Sequence, residues 1–212
     1  MTQRFITCVL LAALLVAPGL LAACGLPLTT VGSALSGSGK MATRDVAVDG
    51  FTGIDARNGF NVTVAGGDVY KVSITTDDNV QDAISVERVG DKLQLGVDGS
   101  KAQSVHTTRL DAAITMPELK EVSLDSGSQL TVAEPAPQGS ALKLTQKAGS
   151  HSDLSAMPVQ TANVALYAGS GADIHVTGKL AYQLHAGSQL RYTGNPTIGA
   201  SRSLDGSSAT QY

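Results

Sequence analysis

The chain has 212 residues, a net charge of −3, 42% hydrophobic and only 4% aromatic residues, and no tryptophan. A mildly acidic balance argues against nucleic acid or an anionic lipid surface as a partner. Two cysteines in this length exclude a disulfide-stapled scaffold, and the scarcity of aromatics gives little support to a stacked sugar platform.

The chain order begins with a segment that must be set aside before the fold is read. Arg4 is the only charge before Lys40, and the run "FITCVLLAALLVAPGLLAAC" follows it. The run approaches the ~20 residues of a membrane span. Its break at Pro18–Gly19, its early position and its small terminal residues point instead to a signal peptide over residues 1–23. Leu21-Ala22-Ala23-Cys24 resembles the bacterial lipobox, which implies lipid on Cys24 and cleavage just before it. Cys8 then leaves with the signal, so the mature chain holds no free thiol, and with Arg4 gone the net charge becomes −4. The expected address is the cell envelope, exported and held to the membrane through Cys24, with the outer membrane or periplasmic face favoured. Residues 24–43, rich in Gly, Ser and Thr, read as a flexible tether.

From residue 44 onward, strands alternate with Gly, Asp and Asn turn signals: "FTGIDARNGFNVTVAGG", "YKVSITTDDN", "AISVERVGDKLQLGVDG", "LDAAITMPELKEVSL". Asp77-Asp78-Asn79 reads as a turn, since no calcium-loop series follows it. The second half repeats itself. Aligned on Gly127, Gly149, Gly169, Gly187 and Ser207, the steps are 22, 20, 18 and 20 residues. Ser128, Ser150, Ser170, Ser188 and Ser208 follow the centres, and Ser126, Ala148, Ala168, Ala186 and Gly206 precede them. Odd offsets are small or apolar, with Gln146 and Ser152 as exceptions, and even offsets are mostly polar. Period two is the mark of strand.

A step near twenty residues predicts stacked repeats. The expected fold is all-β: a single-stranded right-handed parallel β-helix with coils of about 20 residues over residues 44–212. An antiparallel β-sandwich is the alternative. The Gly-Ser phrase is expected to form the corner of each coil, with the residues on either side of the Gly turned inward and the serines laddered. Leu124, Gln146, Leu166, Leu184 and Leu204 would form one inward column. Asp125, Lys147, Tyr167, His185 and Asp205 would form an outward one, with opposite charges as neighbours.

The phrases "GFTGIDARNGFNVTVAGGDVYKVSITTDDN", "GDKLQLGV" and "ITMPELKEVSLDSGSQLTV", with the later Gly-Ser segments, resemble the bacterial family known as the putative auto-transporter adhesin, head GIN domain. Asn58-Gly59-Phe60 stands where the name-giving Gly-Ile-Asn would be sought. The resemblance implies a β-solenoid, often exported or lipid-anchored, with no firmly established activity.

No catalytic or cofactor motif emerges. "SGSGK" lacks the first glycine of a phosphate loop, and neither G-x-S-x-G nor H-E-x-x-H occurs. Ser140-Ala141-Leu142-Lys143 matches S-x-x-K but lies by a turn and a strand. His106, His151, His175 and His185 are spread over different segments and read as surface residues, so no metal is expected. The sequence therefore reads as a non-enzymatic, lipid-anchored envelope protein without cofactor, an adhesin or protein-interaction module. Its partner is an unknown protein or surface glycan. A polysaccharide-binding or polysaccharide-processing β-helix protein is the alternative, and a purely structural envelope protein is a third reading.

Overall fold

The computed structural model describes residues 34–212. The signal segment, Cys24 and the first part of the expected tether lie outside the described residues. The strands are β1 (Leu35–Ser36), β2 (Met41–Val46), β3 (Gly53–Ala56), β4 (Asn61–Gly66), β5 (Lys71–Asp77), β6 (Ile84–Val89), β7 (Lys92–Val97), β8 (Val105–His106) and β9 (Leu110–Met116). They continue with β10 (Glu121–Leu124), β11 (Gln129–Val132), β12 (Ala141–Gln146), β13 (His151–Leu166), β14 (Gly171–Leu184), β15 (Gln189–Thr193), β16 (Thr197–Ser203) and β17 (Ser208–Gln211). One 3-10 turn, Gln81–Ala83, interrupts them. Among the described residues, no helix is long and apolar enough to cross a membrane.

All strands but β1 and β8 join one 15-stranded sheet. On one face the neighbours run β2-β5-β9-β4-β11-β13-β14-β15-β17. On the other they run β6-β7-β3-β10-β12-β13-β14-β16. The long strands β13 and β14 belong to both faces. The sheet is therefore one surface wrapped around a core, barrel-like and nearly closed. Alternation places Ile54, Leu93, Val122, Leu144, Leu180 and Leu184 on the inner side of one face and Val62, Ile74, Ile114, Leu130 and Ile174 on the other, all buried. Phe51 and Phe60 are buried with them, and Tyr70 packs its ring on Phe51 at 4.9 Å.

A uniform right-handed parallel β-helix is not what forms. Three pairings, β2–β5, β5–β9 and β6–β7, are antiparallel, so the sheet is mixed. Nor do the strands stack in chain order. β3 lies between β7 and β10, and β4 lies between β9 and β11, so the segment 53–66 is inserted between segments that come later. The cause lies in β5 and β6, which turn back antiparallel and leave the first strands to be covered from both sides. The antiparallel sandwich is not observed either, because the repeat segments pair in parallel.

Residues 34–40, the described start of the expected tether, are built into the fold. β1 pairs with β8, and the Asp77-Asp78-Asn79 stretch holds the strand beside it. Asp77 is fully buried. Its carboxylate accepts from Gly39 N at 2.5 Å, Thr108 N at 2.7 Å and the Thr107 hydroxyl. Ser38 Oγ donates to Asp78 Oδ1 at 2.6 Å, and Ser38 N donates to Asn79 Oδ1 at 2.9 Å. Gly37 is required here: a Cβ would lie 2.3 Å from Asp77 Oδ2. The Thr107 hydroxyl and the Thr108 and Gly39 amides hold the Asp77 carboxyl below the usual range against the opposing effect of burial.

The sign of the pH effect follows. A lowered folded-state pKa means a stabilising contribution that is present above the ordinary value of ~3.9 and is lost as pH falls through the lowered one. Asp77→Ala is expected to free residues 34–40. Limited proteolysis at neutral pH should cut between Ser36 and Lys40 in the variant and not in the native chain, with the core strands intact. Acidification should release the same segment of the native chain before the core.

Candidate functional site

The Gly-Ser phrases form a row of identical turns along one side of the sheet. Each uses two successive residues of positive φ: Ser126 (54°) and Gly127 (74°), Ala148 (51°) and Gly149 (72°), Ala168 (53°) and Gly169 (71°), Ala186 (54°) and Gly187 (73°). Asn58 (64°) and Gly59 (77°) form the same turn before β4. Paired positive φ is the mark of the tight I′ turn, for which Asn-Gly is the preferred dipeptide. The residue before each Gly was expected to face inward. It is exposed instead, because the left-handed pair lifts it out.

The last repeat is shifted by one. Asp205 (54°) and Gly206 (77°) carry the turn, and Gln189 pairs with Ser208. Gly206 is therefore the equivalent of Gly187, and Ser207 is the equivalent of Ser188. Leu184 pairs with Ser203, so Ser203 takes the column place expected for Leu204. Ser207 fits the sequence pattern because Ser208 follows it and Leu204 stands three before it, whereas in the structure the step from Gly187 runs to Gly206 and is one residue shorter.

The turns are tied to one another by backbone. Gly127 N donates to Ala148 O at 3.0 Å, Gly149 N to Ala168 O at 3.0 Å, Gly169 N to Ala186 O at 2.9 Å and Gly187 N to Asp205 O at 3.0 Å. Ser128, Ser150, Ser170 and Ser188 are buried, Ser208 is exposed, and the five do not ladder. Ser150, Ser170 and Ser188 each donate Oγ to the carbonyl three residues back, on Lys147, Tyr167 and His185, at 2.6 to 2.7 Å. Ser128 is buried too, and its Oγ has no partner among the described residues. The two sequence exceptions meet inside. With the Gln146 amide turned to satisfy both ends, its oxygen accepts from Ser152 Oγ at 2.5 Å and its nitrogen donates to Gly171 O at 2.7 Å.

Beside the turns lies a cavity of about 280 Å³, bordered by Ser150, Ser170, Gly171, His151, Gln189 and Arg191. Register places His151, Gly171 and Gln189 side by side on β13, β14 and β15, and Asp153, Asp173 and Arg191 beside them. Arg191 forks onto Asp173 at 2.6 and 2.7 Å. Asp173 is 5% exposed, and His151 Nε2 lies 3.7 Å from its Oδ2. The hydrogen bond and charge of Asp173 raise the Arg191 pKa, so the guanidinium stays ionised. The Tyr212 ring packs 5.4 Å from Arg191 Cζ. None of Asp173, Arg191 and Tyr212 was singled out together in the sequence. Their offsets are ordinary, and only register joins them.

The expected outward column is realised in part. Tyr167 and His185 stack at 5.3 Å, nearly parallel. Asp125 accepts from Ser126 N at 2.6 Å instead of pairing with Lys147. His185 and Asp205 are not register neighbours, because the last turn is shifted. Another outward pairing was not foreseen: Glu121 lies between Lys92 at 2.8 Å and Lys143 at 3.0 Å. Burial pushes the Glu121 carboxyl up, and the two lysines together outweigh it and leave it below the usual range. Lys143 is thus engaged by Glu121. Among the described residues no group of three or more His, Cys, Asp or Glu side chains is placed to hold a metal ion.

Comparison with known proteins places this geometry. Residues 50–150 match the family model described as putative auto-transporter adhesin, head GIN domain. The family resemblance read from the sequence is thereby shown over that stretch, and the last three Gly-Ser turns lie beyond it. Among curated proteins, none matches the chain. Solved structures share the fold. A putative adhesin from Bacteroides fragilis has a TM-score of 0.57 at 16% identity, covering 84% of this chain and 100% of its own. A putative adhesin from Parabacteroides merdae has 0.53 at 15%, covering 85% and 100%. A putative lipid binding protein from Parabacteroides distasonis has 0.54 at 12%, covering 85% and 100%.

The turn row makes a direct test. At Gly169 a Cβ would meet nothing within 4 Å, so only the backbone conformation opposes a side chain. Gly169→Val is expected to lower stability by about 1–3 kcal/mol in a denaturant melt. Gly169→Asn, which tolerates the left-handed region, should cost less.

Proposed function

We propose that the chain is a lipid-anchored cell-envelope protein that works by adhesion or protein contact and not by catalysis. The observation that carries this reading is the outer surface of the wrapped sheet. Polar side chains stand in register across the strands, as in Gln129, His151, Gln189 and Ser208, with Gly171 between His151 and Gln189, and present a broad surface of fixed spacing. The family match of residues 50–150 supports it, since that family is named for adhesins, whose place is the cell surface. The lipobox-like Leu21–Cys24 supports the anchor, with lipid on Cys24 holding the folded part to the envelope. A surface glycan is the second reading of the partner, favoured by Arg191 fixed on Asp173 beside the Tyr212 ring. Paired polar groups next to an aromatic face suit a hydroxyl-rich ligand.

Cys24→Ser tests the anchor. Cells fed labelled fatty acid should label the native chain and not the variant, and label entering the variant would overturn the anchor. His151→Ala with Gln189→Ala tests the surface. The double variant should bind envelope extract at least about tenfold more weakly than the native chain, the ~1.4 kcal/mol of one good contact. Polysaccharide should be neither hydrolysed nor eliminated by either protein. Turnover by the native chain would reject the non-enzymatic reading.

A further inference from the structure

The two ends of the wrapped sheet are finished differently. At the end that holds β2 and β6, antiparallel strands close the stack, and they carry charges: Arg44 and Asp45 on β2, Glu87 and Arg88 on β6. Charged edge strands resist pairing with another chain. At the other end stand β16 and β17. β16 pairs only with β14, and β17 only with β15, among the described residues. Their sequences, TIGASRS and SATQ, hold one charge, Arg202, and no proline. A residue that would be core elsewhere is uncovered here: Ile198, in register with the buried Leu180, is 40% exposed.

The backbone of this edge is oriented for pairing. Ser208 N donates to Ser188 O, and Tyr212 N donates to Tyr192 O. Alternation then turns the N–H and C=O of Ala209 and Gln211 away from β15, toward the open side.

We infer that this end is a self-association surface, where two copies of the chain pair edge to edge. Geometry selects the occupant. The free strands are two, one on each face, joined at fixed separation by the turn at Asp205–Gly206. An extended peptide would pair with one and leave the other bare. A second copy presents the same two strands at the same separation and pairs with both at once. A two-fold axis in the plane of the end brings the strands together antiparallel, and such a contact closes at two copies. Charge agrees: residues 197–212 carry one cation, Arg202, and one anion, Asp205, so two such ends meet without net repulsion. On the face shared by β2 and β17 the two lie at opposite ends of nine strands, about 40 Å apart at ~4.8 Å each. The pairing end is thus remote from the N-terminal strands. This inference stands apart from the readings of lipid and adhesion, which the fatty-acid and extract experiments decide.

The test uses the full chain in excess dodecyl maltoside, with sedimentation equilibrium followed over a range of protein concentration. The native chain is expected to pass from monomer to dimer. Ala209→Pro removes an outward N–H without touching the inner ladder, and it should remain monomeric with an unchanged circular dichroism spectrum. Amide exchange gives a readout free of any variant: the Ala209 and Gln211 amides of the native chain should slow about tenfold between the dilute and the dimeric sample. A native chain that stays monomeric throughout would overturn the inference. So would association beyond two copies, a proline variant that dimerises as the native chain does, or unchanged exchange at both amides.

Discussion

The hydrogen bond from each turn glycine to the carbonyl of the next turn is the constraint on which the later half of the molecule depends. Four such bonds, from Gly127, Gly149, Gly169 and Gly187, fix one turn above another at strand spacing. Once the turns are fixed, the strands on both sides must pair in register, and the odd offsets other than the residue just before each glycine face the core. The glycine is needed because its residue takes positive φ next to a residue that already does. Two left-handed residues in sequence leave no other route for the chain to reverse in so few positions. In the turns at Gly149, Gly169 and Gly187 the buried serine returns its hydroxyl to the carbonyl three residues back, so its polar group is carried inside with its hydrogen bond made, whereas Ser128 Oγ has no partner among the described residues.

The regularity of the turns is what lets unrelated side chains meet. Asp173 and Arg191 are eighteen residues apart and become neighbours because β14 and β15 share a register. Gln146 and Ser152 show the same economy inside the core. Each breaks the apolar pattern alone, and together they satisfy one another. The surface inherits this order. Its polar columns are spaced by the strands, so any partner that reads them meets a rigid array and not a flexible loop. This is the physical sense in which the fold suits contact across a broad face.

The first half obeys a second constraint, the closure of the sheet by antiparallel strands. β5 and β6 run back against their neighbours, and the segment with β3 and β4 becomes interior. Asp77 then anchors residues 34–40 over the same region through buried hydrogen bonds. That end is finished by charge, antiparallel pairing and a strapped chain. The end with β16 and β17 has none of these, and this asymmetry gives the molecule a direction.

From the sequence alone came the all-β class, the positions of the Gly-Ser turns up to Gly187, the inward place of Ser128, Ser150, Ser170 and Ser188, the Leu124–Leu166–Leu184 column and the family resemblance of residues 50–150. These are local: period two decides which side chains face inward, and Gly at a fixed offset decides where the chain turns. The tertiary structure decided the mixed, wrapped sheet, the interior place of β3 and β4, the shift of the last turn to Asp205–Gly206 and the burial of Asp77. Strand direction and strand order are choices between partners far apart in the chain, and a single strand reads the same whether its neighbour runs parallel or antiparallel. The Asp77-Asp78-Asn79 stretch shows the limit at one place. Its residue types suit a turn, and only the approach of residues 37–39 and 107–108 converts the first of them into a buried anchor.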